Sequence, residues 1–280
     1  MKTHIMKINS FAAAKINLAL HVRGLKSNGY HELDSLVTFA NIGDIIEVSP
    51  FDKLKLTIEG PFANKVPKGA QNIVIKAAKF LSPKGKAHIN LIKNLPIEAG
   101  LGGGSADAAA TLRSLSKLWD LPIPKSSEIL GADLPICLLK ETAIVQGIGE
   151  QITPVSIPDN LHIILIKPRI GLSTKKVFDN LKNKNNKKMD TFTGTNSIKV
   201  FSNHIKKLRN DLLKTSIYFV PLLSDIINFL NAQNGNYYTQ MSGSGTTCFG
   251  LFDSRVDAIR ALTNAKIKYP EMWCMMAKLI

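Results

Sequence analysis

The run Pro96-Ile97-Glu98-Ala99-Gly100-Leu101-Gly102-Gly103-Gly104-Ser105-Ala106-Asp107-Ala108-Ala109 places four glycines in five positions just ahead of an alanine-rich segment. Glycine lets a backbone take positive φ and approach a ligand closely. A helix that follows offers unpaired N–H groups and the positive end of its dipole. A phosphate group is the guest that such a loop suits. Three other places carry chemistry. Lys15 and Asn17 alternate with Ile16, Leu18 and Leu20, so on a strand the lysine and the asparagine share a face. Asp133 stands in the tight turn Gly131-Ala132-Asp133-Leu134-Pro135, where a carboxylate could act as base on a hydroxyl. Gly243-Ser244-Gly245-Thr246 reads as a hairpin whose backbone amides could face an anion.

Two better-known phosphate motifs are excluded. A Walker A loop needs Lys after its last glycine, where Ser105 stands, and the dinucleotide fingerprint needs Gly or Ala at that position. Each feature alone also has an ordinary reading: a flexible linker for the glycines, a partly exposed strand face for Lys15 and Asn17, an Asx-turn or helix cap for Asp133. The glycine run, however, joins a strand to a helix, where linkers are rare. Ser105 is expected as the N-cap of that helix, within reach of phosphate or Mg²⁺.

The elements that must position these residues follow from hydrophobic period. Strands are expected at Ala14 to Val22, Leu36 to Phe39, Asp44 to Val48, Leu54 to Ile58 and Ala87 to Ile92, with a polar turn over Gly24 to Asp34 that contains Asn28-Gly29. Helices are expected over Asn72 to Leu81 and Ser105 to Trp119, the second ended by Asp120 to Pro124. A hairpin spans Thr142 to Thr153, and Pro158 marks a boundary between residues 1–157 and 158–280. Beyond it come strand Ile163 to Lys167, helix Thr174 to Leu181, a basic stretch, helix Leu222 to Asn231, strands Tyr237 to Met241 and Thr247 to Phe252, helix Val256 to Ala265 and strand Trp273 to Lys278.

With 280 residues, 45% hydrophobic and 20% charged, the chain is long enough for two domains and has globular composition. Thirty-six Lys plus Arg against 21 Asp plus Glu leave a formal charge of +15, which suits nucleic acid, anionic lipid or a phosphorylated ligand. Much of the excess lies between Lys175 and Lys207 with few interleaved aromatics, which reads as solvated surface rather than a nucleic-acid platform. Cys137, Cys248 and Cys274 lie far apart in apolar surroundings and are expected as core thiols. No stretch has the length or flanks of a membrane span or signal peptide, so the cytoplasm is the expected location.

Taken in order, the strand lysine, the glycine loop opening a helix, the Gly-Ala-Asp turn and the Gly-Ser-Gly turn resemble the GHMP kinases. The match is specific in Ala14-Lys15-Ile16-Asn17-Leu18, Gly29-Tyr30-His31-Glu32-Leu33, the glycine loop and Gly131 to Pro135, and it covers nearly the whole chain. The resemblance implies an α+β enzyme with a ribosomal-protein-S5-like N-terminal domain and a ferredoxin-like C-terminal domain, with ATP and acceptor meeting between them. It implies ATP and Mg²⁺ as cofactors, and as acceptor the 2-hydroxyl of a cytidine-diphosphate-linked methylerythritol. By the same resemblance, Pro96 to Ala106 and Asn72 would bind ATP. Asp133 would take the hydroxyl proton while Lys15 holds Asp133 and the developing charge. Tyr30 and His31 would receive the cytosine by stacking and hydrogen bonding, with Phe178 on its other face, and Asn17 and Thr174 would lie near the acceptor. Without the family, Tyr30-His31 is plain loop packing. A monomer or weak homodimer is expected, acting on a small molecule and on neither nucleic acid nor membrane. The rivals are a GHMP kinase for another alcohol and a basic nucleic-acid-binding protein. Two departures stand out: Trp119 to Gly131 is short, so the helix before the Asp133 turn must be curtailed, and Glu98 puts an acid where phosphates would be repelled.

Overall fold

A computed structural model describes residues 7–27 and 29–280, and Asn28 of the expected Asn28-Gly29 turn lies outside them. The chain divides into two compact units. The first holds the residues through Ala14, Ile42–Ile97 and Gly102–Lys140, and the second Lys15–Asn41, Glu98–Leu101 and Glu141–Ile280. Strands β1 (Ile8–Leu25) and β2 (His31–Ser49) are long enough to contribute residues to both.

In the first unit, the end of β2 pairs antiparallel with β4 (Ala87–Ile92), Ile46 opposite Leu91 and Val48 opposite Ile89. β4 pairs parallel with β3 (Leu54–Glu59). Helix α1 (Ile73–Leu81) packs on α2 (Gly103–Trp119), which packs on the short α3 (Leu134–Leu139). Alanines 106 and 108–110 of α2 and Ala77 and Ala78 of α1 are buried, and their small side chains allow the close helix approach. The segment ahead of α3 holds only the 3-10 turn Ser127–Leu130, as its shortness demands.

In the second unit, the start of β2 pairs with β5 (Ala143–Gly147), and β5 pairs with β6 (Gln151–Pro154). The C-terminal part is a four-stranded antiparallel sheet in the order β10-β7-β9-β8, from β7 (His162–Lys167), β8 (Asn236–Met241), β9 (Cys248–Phe252) and β10 (Trp273–Lys278). Helices α4 (Thr174–Asp179), α5 (Ile198–Ile205), α6 (Leu213–Phe219) and α7 (Leu222–Asn231) fall between β7 and β8, and α8 (Arg255–Lys268) between β9 and β10. The order β-α-β-β-α-β and the sheet order are those of a ferredoxin-like sandwich. Its core joins Ile164 and Ile166 of β7 to Leu223, Ile226 and Leu230 of α7 and Ala258, Ala261 and Ala265 of α8. All three cysteines are buried.

Two expectations are corrected. Leu36 to Phe39 and Asp44 to Val48 are parts of one strand, β2. Asn41-Ile42-Gly43 reads like a turn, but Gly43 is there because a Cβ would strike the Ala12 carbonyl. The lysine-rich stretch is more than solvated surface. Asn186 donates N–H and Nδ2 to the Val22 carbonyl at 3.1 Å each, Met189 N donates to Asp34 Oδ2 at 3.1 Å, and Met189 and Phe192 are buried.

Candidate active site

β4 ends at Ile92 and α2 begins at Gly103, so the glycine loop is a strand-to-helix connection. Its four glycines have different physical reasons. Gly100 has φ 71°, and a Cβ there would strike the Ser242 carbonyl. Gly102 sits at the N-cap with φ 61°, in the left-handed region. A Cβ on Gly103 would lie 3.2 Å from Lys93 Nζ. Gly104 is exposed, and a Cβ there would meet nothing nearer than Ile73 Cγ2 at 3.9 Å. Among the described residues, no neighbour asks for glycine at position 104, and glycine near a helix start is unfavourable by up to about 1 kcal/mol relative to alanine. The open space beside it leaves room for a close approach from outside.

Ser105 is not the N-cap. The helix begins two residues earlier, at Gly103, because Gly102 can take the left-handed conformation that a serine resists. Gly102 has no side chain with which to cap, and the amides of Gly103, Gly104 and Ser105 have no intrahelical acceptor. Amides left open at a helix start are suited to an anion. Ile73, the first residue of α1, lies beside Gly104, so a second helix N-terminus adjoins it. Asn72 fixes that terminus: its Oδ1 accepts from Val74 N at 2.8 Å and its Nδ2 donates to the Pro67 carbonyl at 2.7 Å.

Asp133 occupies the N-cap position of α3, but its side chain makes no capping hydrogen bond, so the simple cap reading fails. Ser105 Oγ lies 3.9 Å from where a Cβ of Gly131 would be, which brings this turn beside the start of α2. Arg113 of α2 holds the far end of α3, donating Nη1 to the Cys137 carbonyl at 3.0 Å and Nη2 to the Phe11 carbonyl at 3.2 Å.

The second unit gathers the other residues. Lys15 and Asn17 are 4% and 5% exposed, so the partly exposed strand face is also set aside. Lys15 N donates to the Leu101 carbonyl at 2.9 Å. Asn17 N donates to Ser242 Oγ at 3.1 Å, its Nδ2 donates to Ser35 Oγ at 2.8 Å, and Ser242 Oγ donates to the Gly100 carbonyl at 2.8 Å. Thr247 N reaches the Ala99 carbonyl at 3.1 Å. The middle of the glycine loop is thereby pinned to β1 and to the Gly-Ser-Gly turn. That turn commits the amides of Ser242, Gly245 and Thr247 to the protein itself, which limits it as an anion site. Thr174 Oγ1 and Ser244 Oγ share a 2.8 Å hydrogen bond. Glu98, at φ 49°, packs its carboxylate against Gly171.

His31 and Phe178 lie 4.8 Å apart between ring centroids, tilted by 34°, and His31 Nε2 is buried without a hydrogen-bond partner among the described residues. Burial, helped by the charge of Lys184, holds His31 below the ordinary imidazole pKa, so the ring is neutral near pH 7. Tyr30 beside it is 57% exposed. A neutral ring nitrogen and two aromatic side chains suit a flat polar base.

Sequence reasoning missed Lys93, whose ammonium is buried between Asp44 and Asp107 beneath the start of α2. A lysine just past the apolar Ala87 to Ile92 strand, and an acid inside an alanine run, were the available signals.

Residues 72–139 match the family model of the GHMP kinases N terminal domain, and residues 198–271 that of the GHMP kinases C terminal. A 4-diphosphocytidyl-2-C-methyl-D-erythritol kinase of Ruegeria pomeroyi is 42% identical over 98% of this chain and 100% of its own length. The crystal structure of a 4-(cytidine 5'-diphospho)-2C-methyl-D-erythritol kinase superposes with a TM-score of 0.76 at 27% identity, covering 97% of this chain and 99% of the other. A homoserine kinase from Cytophaga hutchinsonii shares the fold alone, with a TM-score of 0.65 at 17% identity over 100% and 99% of the two chains. The strand-to-helix glycine loop, the second unit's sandwich and these full-length matches agree: the chain belongs to the GHMP kinases, in the family of the 4-diphosphocytidyl-2-C-methyl-D-erythritol kinases.

Proposed function

We propose that this chain transfers the γ-phosphoryl group of ATP to the 2-hydroxyl of 4-diphosphocytidyl-2-C-methyl-D-erythritol. The observation that carries this reading is the full-length similarity to kinases of that name, joined to a loop whose Gly104 has no protein neighbour demanding glycine. The loop amides at the start of α2 receive the phosphates, and α1, fixed by Asn72, adds its own N-terminus. Asp133 accepts the proton of the acceptor hydroxyl. That oxygen bonds to the γ-phosphorus as the bond to the bridging β–γ oxygen breaks, and ADP leaves. Lys15 steadies Asp133 and the charge that develops. His31 offers its unpartnered ring nitrogen to the cytosine edge while Tyr30 and Phe178 flank the base, and Asn17 and Thr174 line the acceptor.

Mg²⁺, when bound, would supply positive charge to offset that of the phosphates. The Ser105 hydroxyl, beside the Asp133 turn, fits it, because a hard cation that keeps several waters needs only one or two protein oxygens. Residues 1–157 would form the ATP-binding domain and 158–280 the C-terminal domain of a cytoplasmic monomer or weak homodimer. Among the described residues, no helix is long and apolar enough to cross a membrane. The test is ADP release with Mg-ATP and, in turn, the cytidyl acceptor, mevalonate and homoserine. Turnover with the cytidyl acceptor alone is expected, and turnover confined to another alcohol would overturn the assignment.

A further inference from the structure

Lys93 follows the last residue of β4 and is 3% exposed. Its Nζ donates to Asp44 Oδ2 at 2.5 Å and to Asp107 Oδ2 at 2.7 Å. Asp44 uses its other oxygen, Oδ1, to accept from Asn94 N at 2.6 Å and Leu95 N at 2.7 Å. Those residues begin the exit of the chain from β4 into the glycine loop. Asp107 lies four residues after Gly103, on the same face of α2, and the Lys93 ammonium that it binds lies 3.2 Å from where a Cβ of Gly103 would be. One buried ammonium therefore ties the strand that the loop leaves to the helix that it enters.

Three ionisable groups in one dry place are costly. Each buried ion loses several kcal/mol of hydration, and apolar residues of similar volume often give equal or better stability. The arrangement is better understood through the geometry that it enforces. A salt bridge has a narrow range of lengths and angles, whereas apolar side chains slide. Burial, together with repulsion from Asp44, pushes Asp107 well above the usual carboxylate range against the pull of Lys93. The two acids raise Lys93 in spite of its burial. The ammonium stays charged and holds both carboxyl groups.

We propose that Lys93, acting through Asp107 and Asp44, is a positioning residue for the nucleotide: it fixes the separation of the glycine loop's two ends, so that the first amides of α2 meet the phosphates in register. One of the four glycines then serves Lys93 rather than the ligand, since a Cβ on Gly103 would crowd the ammonium. The inference rests on the reading of the loop as an ATP site and does not depend on the acceptor.

The test is Asp107→Ala, which cuts the tie to α2 but leaves the Lys93–Asp44 pair in place. Calorimetry with Mg-ATP should show binding weakened by about tenfold or more, because misplacing a positioned group by about 1 Å costs on the order of 10²-fold. The KM for the acceptor should change less than about twofold, since no acceptor contact is altered. Asp107→Asn keeps an oxygen for the Lys93 N–H and should restore binding to near wild type, which a loss of general stability would not explain. Gly103→Ala provides a second route. It favours the helix yet crowds Nζ, and it should weaken Mg-ATP binding even if Asp107→Ala fails to fold. Wild-type affinity in folded Asp107→Ala or in Gly103→Ala overturns the proposal, as does equal loss in Asp107→Asn and Asp107→Ala. If the wild-type chain binds Mg-ATP with these effects but phosphorylates no cytidyl acceptor, the proposed function fails and this inference stands. If it binds no Mg-ATP, both fall.

Discussion

Replacing Gly104 with alanine should make the ligand-free protein more stable and the enzyme worse. The added methyl group would sit in open space, 3.9 Å from Ile73 Cγ2, and the residue is already in a helix, so no strain opposes it. Alanine is favoured over glycine by about 1 kcal/mol inside a helix, and the gain at its second residue should be roughly half of that. A gain of this size raises the unfolding midpoint by about 1–2 °C in a chain of this length. The cost falls on the nucleotide. A phosphate oxygen that meets the amides of residues 103–105 must pass close to this Cα, and a methyl carbon would push it back by roughly 1 Å, enough to lower affinity by about tenfold or more. Differential scanning calorimetry without nucleotide and the KM for ATP read the two effects separately. A stabilised variant with unchanged KM would show that the phosphates do not approach here. A destabilised one would refute the helical, open placement of Gly104.

Asp133→Asn should keep the fold and lose about 10²–10⁴-fold in kcat, the usual worth of a positioned base; near-normal kcat would remove Asp133 from the chemistry. Lys15→Met, close in shape, should likewise lower kcat far more than it raises either KM, and a purely raised KM would contradict its role at the transferred group. His31→Ala should raise the KM for the cytidyl acceptor by about tenfold while leaving that for ATP alone; an unchanged acceptor KM would favour a different alcohol. Burial first of all holds His21, His31, His162 and His204 below the ordinary imidazole value of about 6.5. Below pH 6.5 the unfolded chain therefore binds more protons than the folded one. Their contribution to stability is complete above pH 6.5 and is lost as pH falls through the lower folded values. The four rings should lower the thermal midpoint between pH 7 and pH 5.5, against an opposite contribution from Asp107, so NMR titration of the imidazoles reads them directly, and unshifted rings would contradict their burial as neutral groups.

Local pattern was enough where an element makes its own case. β4, α7 and β10 have the spans that alternation or helical period marks in the sequence, and Asp120, in the left-handed conformation, ends α2 where the Asp120 to Pro124 run implied. What stayed hidden depends on partners distant in the chain. The unbroken length of β2 rests on Gly43 meeting the Ala12 backbone, and no window around residue 43 contains that fact. The order of the lysine-rich stretch comes from bonds to Val22 and Asp34, more than 150 residues earlier. Two helices there, α5 and α6, are short, and their surroundings are basic, which masks their apolar faces. At the site, Lys15, Asn17, the glycine loop and Asp133 stood out because residue type and order point to chemistry, and the roles given to them belong to the proposed function. The triad of residues 44, 93 and 107 was not, because each member alone looks like an ordinary surface charge.

The most direct test of the whole account is phosphorus NMR of the purified chain with Mg-ATP and 4-diphosphocytidyl-2-C-methyl-D-erythritol, run beside Asp133→Asn and a mevalonate control. A new phosphomonoester signal, formed as ADP appears, carried on the 2-position of the cytidyl acceptor and absent from both controls, is the predicted result. A phosphomonoester that forms equally well with Asp133→Asn, or on mevalonate instead, would contradict it.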